Sequence, residues 1–421
     1  MVHELSSADG ESDQYDVACR ICGQVGLNSI LSLGKTPLAN ALLREDQLGD
    51  GENTWPLELA WCPDCSLAQI TETVPPEILF REYSYFSSFS DTMVAHAKTI
   101  ADRLRETRKL GPNSLAVEIA SNDGYLLQWY HKAGIPVLGI EPAQNIARVA
   151  ESERGVRTIS EFFGREIAEK LAMSGQRADV IHANNVLAHV ADLNGVVAGF
   201  AAMLKPDGVV VVEAPYLKDL LDHVEFDTIY HEHLCYFSLT ALTRLFQQHG
   251  LTIVDVERLK IHGGSLRIFA VHTNSAEVQP SVLRLLNEES TWVRDAKSYA
   301  TFGKRVETLR SELISLLDSP KAKGKRIAVY GASAKGSTLL NYFGIGQKQL
   351  DFVVDRSTVK QGLYTPGTRL KICDPSRLVT DQPDYCLLLT WNFADEILKQ
   401  QAQYRQQGGK FIIPIPEVRV A

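Results

Sequence analysis

The stretch DTIYHEHLCYFS (227–238) gathers two histidines, two tyrosines and a glutamate into twelve positions. Three kinds of chemistry would use such a set: metal ligation, proton transfer, or polar hydrogen bonding with no reaction attached. A two-histidine metal site needs a third ligand, and the H-E-x-x-H spacing that puts two histidines on one helix face is absent. Histidine titrates near about 6.5, which suits removal of a proton at neutral pH. In an extended conformation His231 and His233 would share one face of the segment, and Tyr230 and Glu232 the other.

Metal-binding chemistry points elsewhere. Four of the seven cysteines fall in two C-x-x-C pairs, Cys19/Cys22 in CRIC and Cys62/Cys65 in CPDC. Each pair puts two sulfurs on one tight turn, and two such turns can close a tetrahedral four-thiolate site of the kind zinc prefers. The interval between the pairs exceeds the roughly 15–20 residues of the compact pattern, so a zinc ribbon with an inserted loop is expected. Four thiolates leave no open coordination position, which makes the metal structural. The remaining thiols, Cys235, Cys373 and Cys386, are scattered and read as buried free cysteines.

A third set of residues lies where strands end. VEIASNDGYLL follows an apolar strand and opens a helix, with Glu118 at the strand end and Ala120, Ser121, Asn122 and Gly124 in the turn. It lacks the three glycines of G-x-G-x-x-G and any phosphate-holding Lys with Ser/Thr, so the ligand expected here has no pyrophosphate. GIEP ends the next strand. Its Glu141, followed by Pro142, lies 17 positions beyond Gly124 and can accept both hydroxyls of a ribose. ISEFF ends a third, where Glu161 could accept from an adenine amine with Phe162 or Phe163 stacked on the ring. His182, Asn184 and Asn185 close a fourth strand, and Asn185 is the one expected to touch ligand. A nucleoside without phosphates across the C-terminal edge of a parallel sheet points to S-adenosylmethionine.

A second glycine-bearing turn, VYGASAKGSTLL, begins near 329. Lys335 precedes its second glycine, Gly336, which is not the G-K-[ST] order of a nucleotide-cleaving loop. The helix N-terminus still favours an anion. Ser333, Lys335 and Gly336, with Asn392 from a later strand end, are therefore expected to hold a diphosphate without cleaving it.

The elements that must position these groups alternate as strands and helices from 114 onward, and VVVVEAP is apolar throughout, as a strand covered on both faces must be. The expected fold is α/β. A tail (1–16) precedes a zinc-binding domain (17–75). A Rossmann-like methyltransferase domain (76–275) carries an inserted catalytic segment (216–250). A helical connection (276–324) leads to a second Rossmann-like domain (325–421). Met93, Ala97, Ile100 and Leu104 mark one face of a helix before the first sheet. The segment LNGVVAGFAAMLKPDG is expected to be helical up to a Pro-Asp-Gly stop. A net charge of −8 argues against nucleic-acid binding, and no apolar run reaches the roughly 18 residues of a membrane span. The N-terminus is polar and acidic, so a cytoplasmic protein is expected, with oligomeric state open and a monomer sufficient.

Taken in order, C-x-x-C…C-x-x-C, EIASNDG, GIEP, HANNVLAH, EAPY, YHEHLCYFS, HGGSLR and YGASAKG resemble the S-adenosylmethionine-dependent C-methyltransferases that act on dTDP-4-keto-deoxysugars in antibiotic sugar pathways. The resemblance runs from about residue 17 to the end. It implies a zinc-binding N-terminal region, a central methyltransferase domain and a C-terminal domain that helps hold the nucleotide sugar. It implies His233 as general base, with Tyr230, Glu232 and His189 in support. A tyrosine of the N-terminal aromatic cluster, Tyr83 or Tyr85, would approach the sugar. His231 is expected to be a structural hydrogen-bonding residue at the edge of the substrate site. The HGGSLR segment (262–267) either lies near the sugar or is a plain turn before a strand. The implied reaction is proton removal beside the C4 ketone, then attack of the enolate on the sulfonium methyl, with C3 favoured and C5 open. Methylation of a sugar hydroxyl, or a non-catalytic binding protein on the same fold, are the competing readings.

Overall fold

The computed structural model describes residues 14–80 and 86–421. Tyr83, Tyr85 and most of the acidic tail lie outside the described residues. Three sheets carry the chain. The first is antiparallel and contains β1 (Gln14–Tyr15), β2 (Leu27–Pro37), β3 (Thr54–Trp61) and β4 (Ala68–Ile70). Its fifth strand comes from far along the chain: β10 (Cys235–Tyr236) pairs with β4, Cys235 opposite Gln69. The zinc-binding region expected at 17–75 thus has an edge supplied by the histidine-rich segment.

The second sheet holds β5 (Ala116–Ile119), β6 (Val137–Ile140), β7 (Thr158–Ile159), β8 (Ala178–Asn184), β9 (Leu204–Pro215), β11 (Leu251–Leu259) and β12 (Ser265–His272), in the order β11-β12-β9-β8-β5-β6-β7. Strands β5 to β9 are parallel, and β12 inserts antiparallel between β9 and β11. Strand order reverses between β5 and β8, and ligands of open α/β sheets sit in the crevice at that point. Alternation along β9 divides its valines between two cores. Val210 and Val212 share one with Phe200 and Leu245, and Val209 and Val211 the other with Ile100 and Leu104. The helix Asp91–Thr107 buries Met93, Ala97, Ile100, Ala101 and Leu104, and Ser90 caps it by accepting from the Met93 amide at 3.3 Å.

One boundary differs from the sequence reading. The helix after β8 ends at Met203, and Lys205-Pro206-Asp207-Gly208 already belongs to β9. Leu204 pairs with Ala178, and Gly208 lies so close to Ala178 and Leu204 that a Cβ there would meet both within 2.9 Å. Sheet pairing overrides the turn preference of the Pro-Asp-Gly triplet.

The third sheet, β15-β14-β13-β16-β17-β18, comprises β13 (Ile327–Tyr330), β14 (Phe352–Val354), β15 (Ile372–Cys373), β16 (Tyr385–Leu388), β17 (Lys410–Ile413) and a terminal antiparallel β18 (Arg419–Val420). Between the second and third sheets runs the helix Ala296–Ala322. It buries Tyr299, Phe302, Val306, Leu309, Leu313 and Leu317 at helical spacing. Tyr299 stacks on Trp61 of β3 at 4.8 Å. Arg305 donates to the carbonyls of Leu221 and Asp222, and Glu307 accepts from Tyr342 at 2.8 Å. This helix therefore touches the first sheet directly and is tied to the helices Leu217–Asp222 and Ala334–Phe343 that accompany the other two.

Candidate active site

The two cysteine turns are built alike. Cys19 N–H donates to Gln24 and Cys62 N–H to Leu67, both at 2.8 Å, while Gly23 and Ser66 donate back to the two cysteine carbonyls at 2.9 Å. The residue after each pair is left-handed, Gly23 at φ 74° and Ser66 at φ 66°. The four sulfurs all lie within 4.8 Å of one another, and they form the one such ligand cluster among the described residues. The Cys62 sulfur and, after it, burial push the Cys19 thiol up, while Cys19 and Cys65 pull Cys62 down. A divalent cation would relieve that crowding, and the four-sulfur set fits tetrahedral zinc with no open position.

The turn after β5 is strained in a way that favours a ligand. Ala120, Asn122 and Gly124 all have positive φ, and so does Asn185 after β8; such strain concentrates at ligand sites. Glu118 is fully buried, and burial, then Asp123, Glu141 and Glu213, raise its pKa well above the ordinary carboxylate value. Glu141 is raised too, chiefly by burial, although it accepts from the Asn122 amide at 3.0 Å and the Ala143 amide at 2.9 Å. Glu118 Oε2, Ser121 Oγ, Asp123 Oδ1 and Asn185 Oδ1 are buried without a hydrogen-bond partner. Orphaned acceptors around clustered carboxylates suit a ligand that brings hydroxyls and positive charge, as S-adenosylmethionine does. Pro142 is half-buried beside Glu141. After β7, Glu161 and Phe162 are exposed, whereas Phe163 packs on Phe200 with ring centres 5.7 Å apart. Of the two aromatic candidates, Phe162 is the ring left accessible.

The histidine-rich segment is a turn and not a strand, so the expected sharing of faces is corrected. His233 N–H donates to the Tyr230 carbonyl at 2.8 Å, which brings residues i and i+3 together. Tyr230 and His233 therefore face the same way and are half-buried, whereas His231 and Glu232 point inward. His233 Nδ1 lies 2.9 Å from the Thr228 carbonyl, and Tyr230 Oη 2.8 Å from His233 Nε2. A carbonyl only accepts, so Nδ1 carries the proton and the Nε2 lone pair accepts from Tyr230. The His189 ring stands edge-on to His233 at 4.8 Å, and burial lowers its pKa to about 4. It is neutral throughout the physiological range. The Leu234 amide donates to the Ala188 carbonyl at 2.6 Å, which joins the His189 turn to the histidine-rich one.

The inward-pointing pair anchors this turn to the first sheet. His231 Nε2 donates to the Pro56 carbonyl in β3 at 3.0 Å. Glu232 Oε1 accepts from Asn40 Nδ2 at 2.6 Å, and burial raises its carboxyl to about 7 against the pull of Asn40 and Lys360. Asn40 was not anticipated, because nothing in PLANALL marks it.

The second glycine turn is explained largely by packing. A Cβ on Gly331, at φ +100°, would lie 2.7 Å from Thr390, and one on Gly336 2.6 Å from Leu389. Ser333 Oγ caps the following helix by accepting from Gly336 N–H at 3.1 Å, and the Ala332 amide is taken by Asp355 at 2.8 Å. Lys335 is the exception. Its Nζ is buried, 4.6 Å from the centre of the Trp391 ring, and its charge reaches Asp227 and Glu225 of the histidine-rich region. Asn392 follows Trp391 in the turn Trp391–Phe393 and is half-buried.

Comparison with known proteins agrees with this layout. Three family profiles match in succession: a zinc binding domain over residues 19–80, a methyltransferase domain over 95–256 and a C-methyltransferase C-terminal domain over 260–416. The C-methyltransferase NovU of Streptomyces niveus is 39% identical over 404 residues, 96% of each chain. This chain belongs to the S-adenosylmethionine-dependent C-methyltransferase family. A ubiquinone biosynthesis O-methyltransferase from Bartonella quintana is 34% identical over 158 residues, covering 34% of the methyltransferase described here and 62% of that protein. Among solved structures, the magnesium protoporphyrin IX methyltransferase of Synechocystis with bound cofactor covers 44% of this methyltransferase and 82% of itself, at 14% identity and a TM-score of 0.33. The methyltransferase uses S-adenosylmethionine as cofactor and carries a zinc-binding domain. No helix among its described residues is long and apolar enough to cross a membrane.

Proposed function

We propose that this methyltransferase methylates a carbon adjacent to the C4 ketone of a dTDP-linked 4-keto-deoxysugar, C3 before C5, in a cytoplasmic pathway to an antibiotic sugar. The observation that carries the reading is the tautomer of His233, with Nδ1–H donated to the Thr228 carbonyl and the Nε2 lone pair turned to Tyr230 Oη. When substrate draws Tyr230 O–H away from Nε2, the freed lone pair takes the proton from the carbon, and the charge left behind delocalises onto the ketone oxygen. Tyr230 O–H, turned from Nε2 to that oxygen, and the neutral His189 ring beside His233 are its proposed donors, and donors aimed at a developing oxyanion stabilise it by several kcal/mol each at most. Bound S-adenosylmethionine supplies the electrophilic methyl. Glu118, Ser121, Asn122, Glu141 and Asn185 hold it at the sheet edge, and Lys335 with Asn392 lies toward the nucleotide. The share of the aromatic-cluster tyrosines, Tyr83 or Tyr85, is contact with the sugar. NovU, by its name a C-methyltransferase, supports carbon over oxygen as acceptor.

The test is His233→Asn, assayed with dTDP-4-keto-6-deoxy sugars in deuterated water. Turnover falls by about 10²–10⁴-fold, S-adenosylmethionine binds within a few-fold of wild type, and deuterium exchange at the α carbon stops. Undiminished turnover refutes the base assignment. A methyl group found on oxygen by NMR refutes the carbon acceptor.

A further inference from the structure

The atom that fixes the His233 tautomer is the Thr228 carbonyl, and the peptide carrying it belongs to the short turn Phe226–Thr228. This carbonyl is doubly used, since Tyr236 Oη also donates to it at 3.3 Å. What keeps the turn in place comes from the helix Ala334–Phe343 and the turn Trp391–Phe393 of the C-terminal domain. Phe226 is fully buried and stacks on Phe343 at 4.8 Å, with the planes 25° apart. Asp227 is fully buried, and its Oδ2 accepts from the Trp391 indole Nε1 at 2.7 Å. Thr228 spends its own amide and hydroxyl on the Glu225 carbonyl, at 3.1 and 2.7 Å, so it makes no brace of its own to the C-terminal sheet. The charged groups around the pair are Lys335, whose Nζ lies over the Trp391 ring, and Glu225.

We propose that Asp227 and Trp391 are positioning residues that set the tautomer of the catalytic histidine by holding the Thr228 carbonyl against His233 Nδ1, and that this is the contribution of the C-terminal domain to the chemical step. The inference rests on the reading of His233 as the base. If the 228–229 peptide rotates away, Nδ1 loses its acceptor and the ring is free to carry its proton on Nε2, where the lone pair is needed. Hydrogen bonds one step removed from a working imidazole select its tautomer in this manner. Neither Asp227 nor Trp391 need touch substrate, so the loss falls on kcat and not on KM.

The experiment uses the full-length zinc-loaded enzyme and Trp391→Phe, which keeps a ring and removes the donor. Two-bond proton–nitrogen spectra of histidine-labelled protein read the tautomer, with His233 assigned by its absence in His233→Asn. The expected result is a fall in kcat on the order of 10- to 100-fold, the size that small misplacements near a reacting centre produce. KM for both substrates stays within about threefold, and His233 changes from one Nδ1–H tautomer to a mixture. Asp227→Ala should behave alike, and Asp227→Asn, which keeps an acceptor for the indole, should recover most of the loss relative to Asp227→Ala. That second pair decides the matter if Trp391→Phe does not fold. An unchanged kcat with an unchanged tautomer overturns the proposal, as does a loss confined to KM. Should His233→Asn prove fully active, it is the base reading that fails, and the tautomer measurement still reports separately on the brace.

Discussion

Arg267→Met would open a buried ion pair between β12 and β9, and its cost follows from the geometry. Arg267 in β12 donates to Glu213 Oε1 in β9 through Nη2 at 2.6 Å and Nε at 2.7 Å, and their side chains are 7% and 1% exposed. Glu213 Oε2 also accepts from His96 at 2.8 Å, and Arg267 Nη1 reaches Glu257 at 3.0 Å. Methionine keeps most of the volume but leaves the carboxylate without its cation. Removing one partner of a buried pair costs about 3–5 kcal/mol, because the charge left behind stays desolvated. For a domain of this size that is a drop of roughly 6–20 °C in melting temperature. The pH dependence gives a second handle. Burial pushes the Glu213 carboxyl up, but His96 and Arg267 together hold it below its ordinary value. Its contribution is thus present above the unfolded pKa of about 4.3 and lost only as pH falls through the lower folded value. In Arg267→Met burial prevails, the carboxyl takes up a proton more readily, and the gap to wild type narrows as pH drops from about 8 to about 5. Urea unfolding across that range is the assay, and the double variant Glu213→Gln/Arg267→Met should recover more than half of the loss. A cost below about 1 kcal/mol, or a gap that widens toward acid, would refute the reasoning.

Two further outcomes can be checked by similar means. Glu232, raised to about 7 mainly by burial, binds more protons folded than unfolded between its ordinary value and 7. Stability therefore falls as pH rises through that window, and Glu232→Gln should flatten the slope and gain on the order of 3 kcal/mol at alkaline pH; an unaltered slope in denaturant titrations counts against it. Purified enzyme should carry one zinc per chain, and stripping it with a chelator should lower the melting temperature and abolish turnover together, since metal sites of this type contribute about 10 kcal/mol to folding. Full metal removal with no change in melting would exclude the four-thiolate site.

How far the sequence could be read depends on the range of each interaction. The cysteine turns were legible because ligand spacing within each pair is local, and the helix face of Met93, Ala97, Ile100 and Leu104 because periodicity is local too. The apolar run of β9 announced a strand covered on both faces, yet its start was misplaced, since Leu204 pairs with a strand the local sequence does not mention. At the histidine-rich segment the residue types were informative and the conformation was not. Alternation suggested two faces, while one i to i+3 hydrogen bond put Tyr230 and His233 side by side. Asp227 stood in plain view at the head of the same stretch, but its partner Trp391 is 164 positions away, and Asn40 is 192 positions from Glu232. No pattern in one sequence reports pairings of that span.

Those long spans also explain why a structural metal belongs in an enzyme whose chemistry has no use for it. The histidine-rich turn contributes β10 as the edge strand of the sheet that the cysteine turns staple, and Ile70 N–H at the end of β4 donates to the Leu234 carbonyl at 3.0 Å. That sheet has few residues, and a small layer cannot bury enough apolar surface to be rigid unaided. Cross-linking its two turns through one ion supplies the stiffness, and the stiffness is delivered to Glu232 by Asn40 and to His231 by Pro56, next to which stand His233 and Tyr230. A metal at the turn between β3 and β4, next to the strand that pairs with β10, can then act on the proposed reaction without an open coordination site, because what it fixes is the backbone from which His233, the proposed base, projects.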